Sequence, residues 1–347
     1  MWTSTAIATS LGSIIIALIK DTAENRKIVC CFACICLIMQ SGFREYLLPI
    51  NDTLSYYKNY CYIQDLTLNQ ITSLKHFELG IFDNRSPVYN IFAKACSSLG
   101  INFRIYLILI SSIISTCFCN YIYRNSRNIV AIIICIVLYE AIFSGFTESA
   151  IRQTLALSMA LYSIKYLEQD RIPTYIAIIL ITVFIHVSAA ILLLIPLLIL
   201  YRKQQIVLLS SLIATPFLLI TTPSIIGQML AKSSISIYAI QTNGVTGAPI
   251  YSLALYTIGA VTYILLRKKR DYSQQTRILI SSLSCAIILL PTIWVNPTFI
   301  RLGFYFVLIL IPLIPYCIRI YTNNNHLRYN KISIIMMMLL LILKMQQ

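Results

Sequence analysis

The chain has few charged residues. Lysine, arginine, aspartate and glutamate together make up 11% of its 347 residues, whereas hydrophobic residues make up 58%. The mean hydropathy is +0.79. A soluble domain usually carries charge on about a quarter of its residues, so this composition excludes an ordinary soluble globule. The sequence therefore predicts an integral membrane protein.

Acidic residues are scarcest: 12 stand against 27 lysines and arginines, which gives a formal net charge of +15. Such an excess can indicate a nucleic-acid partner. Here, however, the basic residues lie in short loops between apolar runs, which is the positive-inside pattern of a multispan membrane protein. We therefore expect membrane lipids around the chain and no nucleic-acid partner.

The eleven cysteines do not form the two Cys-x-x-Cys sets of a zinc site. Most lie inside apolar runs, where cysteine acts as a small hydrophobic residue, and we predict no metal site. Cys61 and Cys96 are the pair in a long polar segment. Cysteine counting leaves open whether they form a disulfide.

The apolar runs alternate with polar segments along the whole chain. They cover residues 3–19, 28–43, 104–123, 129–145, 151–167, 174–200, 206–222, 250–266, 278–295, 299–320 and 332–343. Tyrosines at the run ends, such as Tyr123 and Tyr321, match the aromatic belt of a membrane interface.

One run, 175–200, is too long for a single span. As one helix it would be roughly 39 Å long, against a hydrocarbon core of about 30 Å. A single span would also place Arg171 and Arg202 on opposite sides of the membrane, although basic loops prefer the cytoplasm. We therefore interpret the run as two short helices that turn near His186, which carries His186 to the outer side.

If the run 175–200 counts as two segments, the chain has about 12 transmembrane segments. If it counts as one span, the chain has about 11. We predict an all-α polytopic membrane protein with a single transmembrane domain, 1–347, and external loops 44–103 and 223–249. Within the first loop, 87–99 is amphipathic and predicts a helix at the interface.

Few basic residues remain on the outer side beyond the first loop: Arg152, Lys232 and Arg301. Arg152 and Arg301 begin helices there, and an ionisable group at membrane depth is a functional hypothesis by default. Two arginines suit a diphosphate, because each guanidinium can grip two oxygens. Alternatively, either arginine is interfacial, Arg152 pairs with Glu148 at i,i+4, and Lys232 is a loop charge.

Three other polar residues have two interpretations each. His186 is a general base or a satisfied core histidine. Asp52, followed by Tyr56, is functional or belongs to a loop turn with packing aromatics. Glu140, inside an apolar run, is a structural hydrogen-bonding group or a proton carrier.

Several of these residues lie in segments that resemble the EpsG family, Wzy-like polymerases of bacterial surface polysaccharides. The main segments are Ser149-Ala-Ile-Arg152-Gln153, Phe184-Ile-His186-Val-Ser188 and Phe299-Ile-Arg301-Leu-Gly-Phe-Tyr305. Residues 51–57 resemble the family's early Asp…Tyr motif. Pro87-Val-Tyr89 resembles its Glu-Pro-x-Tyr/Phe box, with Ser86 in place of the acid. The resemblance covers about residues 28 to 320.

The resemblance implies a metal-independent membrane glycosyltransferase of GT-C-like architecture, an O-antigen polymerase of the Wzy type. Such an enzyme transfers a growing glycan, linked to undecaprenyl diphosphate, onto the non-reducing end of a lipid-linked repeat unit. The reaction takes place at the periplasmic face of the bacterial inner membrane. No cofactor is implied, since undecaprenyl diphosphate is the substrate carrier. A chain-length regulator of the polysaccharide co-polymerase type is implied as a partner.

For this reaction we assign Arg152 and Arg301 to the diphosphate and His186 to proton removal, with Glu148 or Asp52 as substitutes. The predicted substrate-binding residues are Gln153, Tyr305, Tyr56, Arg44, Arg85 and Lys232. The alternatives are a flippase or transporter of lipid-linked oligosaccharide, an O-antigen ligase, and a membrane acyltransferase that uses His186. The lack of an internal repeat argues against a transporter.

Overall fold

A computed structural model describes residues 2–47, 52–72, 78–79, 82–83, 86–232, 248–267, 272–295, 299–323 and 325–345. The described residues form helices and connecting segments, with one exception. Strands β1 (Glu78–Leu79) and β2 (Phe82–Asp83) form a short antiparallel pair. The predicted helical class is thus confirmed for the described part of the chain.

The helices of the first half begin with α1 (Trp2–Leu18) and α2 (Ala23–Gly42). They continue as α3 (Thr53–Tyr62), α4 (Leu68–Thr72), α5 (Pro87–Ser98), α6 (Phe103–Asn125), α7 (Ile129–Ile142), α8 (Ser144–Ser149) and α9 (Ile151–Glu168). Side-chain caps fix several starts, because an oxygen of the capping residue accepts the backbone N–H three residues later. Thr22, Asn102 and Asn128 cap α2, α6 and α7 in this way.

The second half contains nine further helices among its described residues. They are α10 (Ile172–Val183), α11 (Leu194–Leu200), α12 (Gln204–Lys232), α13 (Ala248–Leu266), α14 (Gln274–Ile288), α15 (Leu290–Val295), α16 (Ile300–Leu310), α17 (Leu313–Tyr321) and α18 (His326–Met345).

Three stretches of the described chain are long and apolar enough to cross a membrane: Phe103–Asn125, Gln204–Thr222 and Gln274–Trp294. A fourth span would combine α16 and α17, which meet at a 49° bend. Further apolar helices are shorter. The chain therefore has the character of a multi-pass membrane protein, while the count of about 12 segments and the GT-C-like architecture stay predictions.

The run 175–200 is broken, as its length predicts. Helix α10 ends at Val183, a 3₁₀ stretch covers Val187–Leu193, and α11 follows. His186 lies half-buried in the break. Its N–H donates to the Thr182 carbonyl, and its own carbonyl accepts the N–H of Ala189. The helix break at His186 is confirmed, and the reversal of the chain there stays a prediction.

The chain divides into two compact units. Unit 1 comprises Met1–Lys165, Pro173–Ala190 and Thr322–Gln347. Unit 2 comprises Tyr166–Ile172 and Ile191–Tyr321. The assignment of 1–347 to a single domain stays a prediction.

Each unit has a helix whose residues are mostly buried. In unit 1 this is α7, where Ile132, Ile134 and Cys135 are fully buried. In unit 2 it is α14: the stretch Gln274–Trp294 is 78% buried, against 22% for Gln204–Thr222. The second stretch thus leaves most of its apolar surface for lipid.

Within unit 1, the described helices of loop 44–103 contact α6 through aromatic side chains. The ring of Tyr60 in α3 lies 4.6 Å from that of Tyr106 and 5.5 Å from that of Phe103. The Tyr60 hydroxyl donates to the Ile101 carbonyl at 2.7 Å. The helix predicted over 87–99 is confirmed as α5, and one of its faces is buried. Helices α3 and α5 therefore pack against the start of α6.

Candidate functional site

The early Asp…Tyr motif meets the segment that precedes Arg152. Thr53, the first residue of α3, is fully buried, and its hydroxyl donates to the backbone carbonyl of Glu148 at 3.1 Å. Glu148 belongs to α8, which is too short to span a membrane, and α9 begins at Ile151. This bond holds the start of α3 beside the start of α9.

Arg152 faces Tyr56 of the loop. Its guanidinium carbon lies 5.7 Å from the ring centroid of Tyr56, within the range of a cation–π contact. The Tyr56 ring in turn meets Tyr89 edge to face at 6.1 Å. Tyr89 is buried. Burial raises the pKa of its hydroxyl most, and the nearby Tyr56 raises this pKa further. Tyr89 therefore stays a neutral phenol at physiological pH.

The Pro-Val-Tyr box also contacts the segment that carries His186. The backbone N–H of Val88 donates to the carbonyl of Phe184 at 3.2 Å. Val88 is the second residue of α5, where a helix leaves the N–H without an internal partner. The His186 Nδ1 shares a hydrogen bond with the Ser188 hydroxyl. Two motifs that are distant in sequence are thus joined directly.

A carboxylate pair lies next to this region. The amide nitrogen of Gln40 donates to Glu140 Oε2 at 3.2 Å and to Glu148 Oε1 at 3.5 Å. Burial raises the pKa of the Glu148 carboxyl, while the charge of Arg44 and the Gln40 hydrogen bond oppose this shift. Because the net direction is upward, Glu148 is a stronger base than an exposed carboxylate.

Arg44 is held from two sides. Its Nη1 donates to the carbonyl of Ser41 at 2.6 Å and to the Ser41 hydroxyl at 2.9 Å. Arg104 donates to the backbone carbonyls of Gly42 and Arg44. Burial lowers the pKa of Arg44 to about 10, with Glu148 opposing the shift. Arg44 therefore remains charged at neutral pH, in a fixed position beside Glu148.

A small apolar cavity of about 170 Å³ lies between α1, α2 and α7. Its lining includes Leu11, Phe32 and Ile133, with Gln40 and Glu140 as polar members. The Gln40 amide thus connects this cavity, through its hydrogen bonds, to the carboxylates of Glu140 and Glu148.

Together these contacts bring the Asp…Tyr segment, the Pro-Val-Tyr box, Arg152 and the His186 segment into unit 1. The family model of the EpsG family matches residues 27–347 of the chain. The chain belongs to the EpsG family. No curated protein and no solved structure matches it. Membership supports a glycosyltransferase-like, polysaccharide-polymerase type of function in a multi-pass membrane protein.

In this EpsG family member, two predicted site residues lie in unit 2. Arg301 is the second residue of α16 and is exposed, whereas Tyr305, one turn later, is fully buried. Gly303 lies between them, and a Cβ there would come within 2.9 Å of the Tyr251 hydroxyl. The glycine therefore leaves room for the Tyr251 hydroxyl against α16. That Arg301 shares a site with Arg152 stays a prediction.

The other predicted residues of this EpsG family member have varied surroundings. Asp52 is exposed at the start of α3 and makes no side-chain cap bond there, and Gln153 is buried in α9. Arg85 and the side chain of Lys232 lie outside the described residues, as does most of loop 223–249. The roles of these residues in substrate binding stay predictions.

The thiols of Cys61 and Cys96 are both free, so the disulfide considered from sequence is absent. Within the described part of the chain, no group of three or more His, Cys, Asp or Glu side chains could hold a metal ion. Metal independence of the reaction itself stays a prediction.

This EpsG family member's site contains three groups that were not predicted from the sequence: the Gln40 amide, the Arg104 guanidinium and the buried Tyr89 hydroxyl. Gln40 carries a recognisable signal, because it is an amide in an otherwise apolar run, one helical turn before Arg44. Such a residue is expected to find a polar partner inside the bundle.

Proposed function

We propose that the protein is a polysaccharide polymerase of the Wzy type. It transfers a growing glycan from undecaprenyl diphosphate onto the non-reducing end of a lipid-linked repeat unit. One observation carries this proposal: the segments that resemble the family's motifs converge in unit 1. Thr53 bonds to the Glu148 carbonyl, Arg152 faces Tyr56, and Val88 bonds to Phe184. The proposed setting is the periplasmic face of the bacterial inner membrane.

The proposed reaction is a direct displacement at the donor sugar. An acceptor hydroxyl attacks C1, the bond from C1 to the diphosphate oxygen breaks, and undecaprenyl diphosphate leaves with the electron pair. Negative charge therefore builds up on the diphosphate in the transition state. Arg152 and Arg301 are the proposed stabilising groups. Removing one such preorganised donor typically costs about 3 kcal/mol of transition-state stabilisation.

The acceptor hydroxyl must lose a proton during the attack. His186 is our first choice as the base, because it is half-buried and its Nδ1 is oriented by Ser188. Glu148 is the second choice, supported by its raised pKa. Asp52 is a third, exposed candidate. Because displacement takes place in one step, inversion at C1 is expected.

The decisive assay uses the purified protein in proteoliposomes with the lipid-linked repeat unit as substrate. A polymerase lengthens the glycan into a ladder. A flippase moves the lipid-linked unit across the bilayer without lengthening it. A ligase lengthens nothing until lipid A core is supplied, and an acyltransferase requires an acyl donor.

Variants then test the site. Arg152→Ala, Arg301→Ala and His186→Ala should each shorten the ladder at unchanged expression. If all three variants produce long chains, the proposed site is wrong even though polymerisation is real. A co-polymerase regulator, our proposed partner, should alter the length distribution without being needed for bond formation.

A further inference from the structure

The guanidinium of Arg44 has one occupied side and one open edge. Its Nη1 donates to both oxygens of Ser41. Its Nε and Nη2 atoms are buried, and neither makes a hydrogen bond to any residue that the structure describes. These two nitrogens lie on the same edge of the planar group, and their N–H bonds run parallel. This is the geometry that grips two oxygens of one phosphate or carboxylate.

Because the Nε and Nη2 donors are buried, their lack of a hydrogen-bond partner among the described residues points to a ligand. An exposed arginine satisfies its donors with water, whereas a buried polar group without a partner loses hydration and receives nothing in return. Such groups are rare in folded proteins, and each calls for an explanation such as an absent ligand. The lowered pKa of Arg44, to about 10, leaves it charged at neutral pH, so the edge favours an anion.

The edge is also held in place before any ligand arrives. Ser41 fixes the opposite side of the guanidinium, and Arg104 fixes the backbone by donating to the Arg44 carbonyl. Arg104 is itself placed over the ring of Tyr46, at 4.7 Å from its centroid. A group restrained in this way loses little freedom on binding, which is the benefit of preorganisation.

A nearby carboxylate could fill the edge, but it is held elsewhere. The charge of Glu148 raises the pKa of Arg44, but within the described residues the two side chains form no ion pair. Gln40 instead donates to Glu148 Oε1, and the same amide nitrogen is shared with Glu140. The Gln40–Glu140 pair thus restrains Glu148 and keeps the arginine edge open.

We propose that the Nε–Nη2 edge of Arg44 is a bidentate anion subsite for the lipid-linked substrate. The ligand class is an anion with two adjacent oxygens on one centre. In the polymerase proposed above, on which this inference rests, that anion is the diphosphate of the lipid carrier or the carboxylate of an acidic sugar.

Direct binding to the full-length protein in nanodiscs tests the proposal. The probes are undecaprenyl diphosphate, undecaprenol and free glucuronate. Arg44→Lys keeps the charge but loses the two parallel donors. We expect Arg44→Lys to weaken undecaprenyl diphosphate binding about tenfold, which is the typical loss of one charge-assisted hydrogen bond. Undecaprenol binding should stay unchanged. If glucuronate binding weakens instead, the edge serves the sugar carboxylate.

The matched control is Arg124→Lys, since Arg124 is exposed near the far end of α6. It lies roughly 30 Å along the helix from Arg104, at about 1.5 Å of rise per residue. This variant should bind every probe as the wild type does. The proposal is overturned if Arg44→Lys binds both anions as tightly as the wild type.

A second variant covers the case in which Arg44→Lys does not fold. Gln40→Leu leaves Arg44 intact but releases Glu148, which can then pair with the open edge and compete with the anion. We expect weaker diphosphate binding in Gln40→Leu, and recovery of binding when Glu148→Gln is added. Unchanged binding in Gln40→Leu would contradict the proposal.

The outcome is separable from that of the proposed function, because binding is measured without turnover. Binding that depends on Arg44, in a protein that never lengthens the glycan, would support the subsite and reject the polymerase. Lengthening that proceeds normally in Arg44→Lys, with unchanged binding, would support the polymerase and reject the subsite.

Discussion

Substitutions of Arg152 and Tyr56 distinguish two roles of Arg152: packing on the Tyr56 ring, and stabilising the leaving diphosphate. A cation–π contact contributes about 0.5–2 kcal/mol, depending on desolvation. If Arg152 only packs on Tyr56, Arg152→Ala and Tyr56→Leu should slow glycan elongation by similar factors, below about 30-fold. If Arg152 stabilises the leaving diphosphate, Arg152→Ala should slow elongation by about 100- to 1,000-fold. We expect the second result, with Tyr56→Leu remaining below about 30-fold.

The assay is the initial rate of elongation in proteoliposomes at saturating lipid-linked repeat unit. A matched control lies in the same helix, where the ammonium of Lys165 sits 3.6 Å from the centroid of the Tyr162 ring. Lys165→Ala and Tyr162→Leu remove a similar contact near the other end of α9 and should leave the rate unchanged. The reasoning fails if Arg152→Ala is no slower than Tyr56→Leu.

Four further predictions use single substitutions. Because burial raises the pKa of Glu148, a rate that needs ionised Glu148 falls as the pH drops through that pKa; if Glu148 replaces His186 as the base, this acid-side fall is lost from the pH–rate profile of Glu148→Gln, and its persistence excludes Glu148. His186→Ala should slow elongation at least 100-fold, as expected for a general base, and Ser188→Ala only about tenfold; equal losses would argue against the base role. Thr53→Val should lower the free energy of unfolding by about 1 kcal/mol, since it removes the bond to the Glu148 carbonyl, and an unchanged Tm would contradict this. Arg301→Ala should slow elongation about 100-fold at unchanged expression; a normal rate would remove Arg301 from the site.

The helix break at His186 follows from the sequence because its causes are local. A bilayer limits the length of a span, and Arg171 and Arg202 flank the run 175–200. The helical class and the family also follow from the sequence, because apolar runs and short motifs can be recognised without knowledge of the packing. The helix α5 is predictable for the same reason, from its amphipathic pattern.

The contacts within the site do not follow from the sequence. Gln40 and Glu140 are separated by 100 positions, and no periodicity predicts that one amide bridges Glu140 and Glu148. The sequence likewise shows that Arg44 is charged but not which of its nitrogens are occupied. Such pairings depend on how helices pack, and many packings satisfy the same apolar pattern.

The bond between Thr53 and the Glu148 carbonyl imposes an order on the biogenesis of the protein. Its two residues are 95 positions apart, and a ribosome adds about 5–20 residues per second. The start of α3 therefore waits about 5–20 seconds for its partner to be synthesised. During this interval the segment around Tyr56 lacks the helix ends that later cover it, and a protease or chaperone on its side of the membrane can reach it. Slow translation between these positions lengthens the interval.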